Sequence, residues 1–68
     1  MLNKQAKYYE TVGDNLTNEN AKAKAYKAAE NSLLANNTNT TEEWEFYKRI
    51  NLKALNCYER IYNKEKRK

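Results

Sequence analysis

The chain reads as an all-helical protein: two shorter helices form a hairpin packed on one long amphipathic C-terminal helix, as a dimer. Three observations predict this. The 68 residues contain no proline and one glycine, so hairpin turns and chain breakers are nearly absent. Apolar side chains recur at helical spacing in separate stretches. A capping pattern opens the last and longest of those stretches.

The first helix is expected over about residues 2–17. Leu2, Ala6, Tyr9, Val12, Gly13 and Leu16 follow the i, i+3, i+4 stripe, and the stripe passes through Gly13 without losing register. Gly13 therefore either ends the helix as a left-handed cap or faces inward to let a neighbouring helix approach. The continuous register favours the second reading, although an interior glycine costs roughly 1 kcal/mol relative to alanine. The stretch Asn18-Glu19-Asn20 reads as the first turn, because asparagine hydrogen-bonds its own backbone.

A second helix is expected over about residues 20–35, rich in Ala, Lys and Glu, with Ala25, Tyr26, Ala29, Leu33 and Leu34 facing inward. Residues 36–40, polar and short-chained, form a surface loop. The third helix begins at Thr41, announced by Thr40 with Glu43 three residues on and by Glu42, Glu43 and Glu45, which complement the helix dipole. It runs to about residue 66, with Lys64, Lys66, Arg67 and Lys68 at its far end, and spans about 40 Å. That exceeds what the two shorter helices can cover.

The first two helices faintly resemble the tetratricopeptide hairpin, with Tyr9, Val12, Gly13, Leu16 and Ala25 at fitting positions. The aromatic of that pattern falls on Ala29 and its closing proline on Asn37, and no second copy follows, so the family is not assigned.

A chain of this length buries only about 60% of its unfolded surface, so a partner or a second copy is expected. The single cysteine, Cys57, forms no internal bridge, and no stretch has the ~20 apolar residues of a membrane span or the core of a signal peptide. These point to a cytoplasmic protein without membrane contact. The Asn/Lys/Tyr bias suggests an AT-rich source such as a low-GC bacterium, its phage or another mobile element.

Enzymatic chemistry finds little support. There is no histidine, the commonest general base and metal ligand. Cys57 lies on the apolar side of the long helix and reads as a buried structural thiol. Glu42, Glu43 and Glu45 are accounted for as a first-turn charge complement. No catalytic, metal or cofactor site is expected.

The long helix carries the functional expectation. At about 100° per residue, Tyr47, Ile50, Ala54, Cys57 and Ile61 form one stripe, and Asn51, Leu55, Tyr58 and Tyr62 form a second beside it, with Trp44 on the same side. Either the two stripes contact the two shorter helices, or the tyrosine-rich one is an interface. On the second reading the protein is a small helical inhibitor or adaptor that binds a protein through Trp44, Tyr47, Asn51, Leu55, Tyr58 and Tyr62. A basic edge, Arg49, Lys53, Arg60, Lys64 and Arg67, follows the same helix. With a net charge of +4 and a sequence pI near 9.2, it is either a solvated face, a surface for an acidic protein or the phosphate-contacting strip of a dimeric nucleic-acid regulator.

Overall fold

The computed structural model describes residues 4–35 and 40–66. It is all-helical, with α1 over Lys4–Asn15, α2 over Glu19–Ala35 and α3 over Thr41–Lys66. The expected positions of Leu2 in the first helix, of loop residues 36–39 and of Arg67 lie outside the described residues. α2 is the central element: α1 and α3 both pack against it, and they meet each other chiefly through long side chains. The hairpin therefore packs on α3 chiefly through α2. The molecule measures 44 × 18 × 15 Å, its length set by α3.

Each boundary is marked by specific hydrogen bonds. α1 ends at Asn15, two residues earlier than the sequence suggests, with the Leu16 amide donating to the Gly13 carbonyl at 3.2 Å. Lys22 then reaches back from α2, and its ammonium donates to the carbonyls of Gly13 (2.8 Å) and Leu16 (3.1 Å). Carbonyls at a helix C-terminus lack the amide four residues on as a partner, and a cation there also suits the dipole. Asn18 caps α2: its Oδ1 accepts from the Ala21 amide at 3.0 Å and its carbonyl from the Lys22 amide at 2.9 Å. Thr40 caps α3. Its Oγ1 accepts from the Glu43 amide at 3.2 Å and donates to the Glu43 carboxylate at 3.1 Å.

The core runs along α2. Ala6 from α1, Ala23, Tyr26, Ala29 and Leu33 from α2, and Phe46, Ile50, Ala54 and Cys57 from α3 are buried together, with Tyr9, Tyr47 and Ile61 packed against them. Two expectations are corrected here. Leu34 points outward and is half exposed, because the inward arc of α2 is filled by Leu33 and by Glu30. Phe46, which belongs to neither of the two expected stripes of α3, is buried beneath Arg49, whose guanidinium carbon lies 4.8 Å from the ring centroid.

Gly13 faces inward within α1, as the sequence register favours. A Cβ built there would lie 2.6 Å from Cε1 of Tyr26. The missing side chain is what lets the Tyr26 ring seat against the α1 backbone.

Candidate functional site

Four large apolar side chains stand on the outward side of α3. Trp44 is 47% exposed, Leu55 54%, Tyr58 46% and Tyr62 62%. They are held on a single helix, whose adjoining side is fixed in the core by Phe46, Ile50, Ala54 and Cys57. Trp44 meets half-buried Tyr47 edge to face, with centroids 5.8 Å apart and planes at 80°. The ammonium of Lys66 lies 5.7 Å from the Tyr62 ring centroid. Leu52 is also exposed, at the margin of this row.

The six residues expected to form the interface thus divide. Trp44, Leu55, Tyr58 and Tyr62 present outward, and Tyr47 is partly in the core. Asn51 is engaged internally: its Nδ2 donates to Oε1 of Glu30 at 3.2 Å. Glu30 is buried and is also approached by Lys27 at 3.6 Å, so Asn51 pins α3 to α2 beside the exposed row.

The basic edge is largely occupied within the fold. Arg49 donates from Nε and Nη2 to the two oxygens of Glu10 at 2.8 and 2.9 Å, a bidentate pair. Lys53 donates to Glu10 at 3.0 Å and to both oxygens of Asp14 at 3.0 and 3.1 Å. Arg60 donates to Glu19 at 2.9 Å. An acidic pair at i, i+4 on α1 therefore meets a basic pair at i, i+4 on α3. This side-chain bridge joins two helices whose backbones have little direct contact. Lys64 lines a cleft of about 510 Å³ between the α1–α2 turn and the end of α3, together with Thr17, Asn18, Glu19, Asn20, Ile61 and Glu65. Arg67 lies outside the described residues.

The titration of these groups follows from their contacts. Burial alone would raise the Glu10 carboxyl, but hydrogen bonds and charge from Arg49 and Lys53 outweigh it and hold it below the ordinary value. Asp14 behaves likewise, its burial outweighed by hydrogen bonds from Tyr26 (2.6 Å) and Lys53. Burial would lower Lys53, yet Glu10 and Asp14 raise it. Tyr26 is raised by burial and by its bond to Asp14. The Arg60 hydrogen bond holds Glu19 low. The Cys57 thiol is buried and unbridged, and burial first and the Glu19 carboxylate second push it up, which keeps it in the protonated, weakly nucleophilic form.

Among the described residues there is no cluster of three or more His, Cys, Asp or Glu side chains that would hold a metal ion. None of the described helices is long and apolar enough to cross a membrane. No protein-family model, curated protein or solved structure matches this chain.

The buried carboxylates Glu10 and Glu30 were not anticipated from the sequence. One signal for the first was present. Glu10 and Asp14 on α1 share the four-residue spacing of Arg49 and Lys53 on α3, so opposite charges on the two helices match in register. Glu10 also lies between Ala6 and Gly13 on the inward stripe.

Proposed function

We propose that the chain is a small, non-enzymatic protein-binding module of the inhibitor or adaptor kind, whose contact surface is the outward face of α3. The observation that supports this reading is the row Trp44, Leu55, Tyr58 and Tyr62, each between 46% and 62% exposed on a helix whose neighbouring side is buried in the core. Aromatic side chains with apolar rings and polar tips are the preferred anchors of protein interfaces, since they contribute large buried area and few rotatable bonds are frozen. Carrying the contact residues on an already formed helix further reduces the ordering cost of binding.

The basic edge has a different role in this reading. Arg49, Lys53 and Arg60 tie α3 to carboxylates on α1 and α2, so much of their charge is balanced within the fold. That leaves a nucleic-acid regulator with few unengaged cations on this edge. The test is affinity capture with the wild-type chain and with Leu55→Asp, each with and without nuclease. A protein catch that survives nuclease and disappears with Leu55→Asp is the expected result. A catch abolished by nuclease and indifferent to Leu55→Asp would overturn it in favour of nucleic-acid binding.

A further inference from the structure

On the outward face of α3, side chains recur at alternating spacings of four and three: Trp44, Lys48, Asn51, Leu55, Tyr58 and Tyr62. This is the period of a left-handed helix-to-helix seam. It is distinct from the buried line of Ile50, Ala54 and Cys57, and apart from Asn51 all its members are exposed. A seam of this kind fits another long helix, and three features of charge and register indicate which helix that is.

The two ends of α3 carry opposite charge. Its first turn holds Glu42 and Glu43, and its last turn holds Lys64 and Lys66. A second α3 laid antiparallel brings each acidic end to the other's basic end and opposes the two helix dipoles favourably. A parallel copy would bring like ends together. The seam itself agrees: with the twofold axis midway between Asn51 and Leu55, Trp44 faces the other copy's Tyr62, Lys48 faces its Tyr58, and Asn51 faces its Leu55. No seam position is left over. Lys48 then lies between Glu45 of its own helix and Glu59 of the other copy, with its stem along a tyrosine ring. In the parallel arrangement Lys48 would meet Lys48.

We propose that the partner seated on this face is a second copy of the chain, bound through α3 in this antiparallel register. The inference rests on the reading of that face as a protein-binding surface and identifies its occupant. The contact is symmetric, so every pairing occurs twice and the interface closes at two copies.

The test uses the full chain in a charge-exchange cycle. Among the described residues, neither Lys48 nor Glu59 takes part in the ion pairs that hold the three helices together, so their substitution leaves those bridges intact. Sedimentation equilibrium of the wild type across the micromolar to millimolar range is expected to show a monomer–dimer equilibrium. Lys48→Glu and Glu59→Lys should each weaken it several-fold, since each replaces two attractive contacts with two repulsive ones. The double exchange should recover most of the loss. The two positions are three turns apart within one helix, so recovery is only intermolecular. A monomer throughout the range overturns the inference, as does a dimer that the double exchange fails to restore. A monomer that still captures a nuclease-resistant protein through Leu55 would overturn the second copy while leaving the protein-binding reading in place.

Discussion

Gly13 and Tyr26 are two halves of one packing solution, and neither is intelligible alone. The ring of Tyr26 is 3% exposed, its hydroxyl is bound to Asp14 at 2.6 Å, and the ammonium groups of Lys22 and Lys53 each lie 5.8 Å from its centroid. These contacts resist a shift of the ring. Replacing Gly13 with alanine gains about 1 kcal/mol of helix propensity, but it places a Cβ 2.6 Å from Cε1 of that ring. Overpacking of this kind typically costs about 1–3 kcal/mol. We therefore expect Gly13→Ala to lower stability by about 1 kcal/mol net in urea titration, opposite in sign to a glycine in an open helix. In a Tyr26→Leu background the obstruction is gone, and the same substitution is expected to stabilise. That reversal separates a packing cause from a backbone one. Leu33, wholly buried among the three helices, gives the second expectation at this scale. Leu33→Ala should cost about 2–5 kcal/mol, enough to unfold much of so small a domain.

At the scale of elements, the helices differ in how their ends are determined, and this sets what could be read from the chain. Thr40 and Glu43 form a local cap, so the start of α3 at Thr41 is legible from four consecutive residues. Thr40→Ala is expected to cost about 1 kcal/mol, with the first turn of α3 gaining faster amide hydrogen exchange while the centre of α3 is unaffected. Asn18→Ala should act comparably on α2 through the Ala21 amide. The end of α1 has no such local signal. Its last carbonyls are met by Lys22, which lies nine residues beyond Gly13, so a partner on the next helix stops α1 at Asn15. The same distinction accounts for the interior. Ile50, Ala54 and Cys57 are legible because apolar residues at a helical period must go somewhere dry. Glu10 and Glu30 are not, because a carboxylate is buried only where other helices supply Arg49, Lys53 and Asn51. Phe46 was hidden for the complementary reason: it lies under a basic side chain on the side of α3 that charge alone marks as solvent-facing. Trp44, Leu55, Tyr58 and Tyr62 look like core in a periodicity plot, and only the placement of α2 and α1 elsewhere around α3 leaves them outward.

For the molecule as a whole, the bridge between α1 and α3 makes stability depend on pH at both ends of the scale. Glu10 and Asp14 have ordinary values of 4.5 and 3.8, and both are held lower in the fold. The folded state therefore binds fewer protons than the unfolded chain in the acid range, and their contribution is complete above about pH 5. It is lost as pH falls below the ordinary values and through the depressed ones. Lys53 and Tyr26 have ordinary values of 10.5 and 10.0, and both are raised. Their contribution is complete below about pH 9 and is lost as pH rises through the elevated values. Thermal unfolding should accordingly show a plateau of stability between these limits and a fall on either side. Glu10→Gln tests the origin of the acid limb. Its carboxylate is only 11% exposed, whereas the Arg49 side chain is 54% exposed and screened by solvent, so a loss of about 1–2 kcal/mol is expected at neutral pH. A domain of this size shifts by about 4–8 °C per kcal/mol, so the change is readily measured. The decisive outcome lies in the shape of the profile: the variant should lose stability less steeply between pH 5 and pH 3 than the wild type, because one of the protons taken up on unfolding is gone. An acid limb of unchanged slope would place the titration on other carboxylates and remove the bridge as the device that joins α1 to α3.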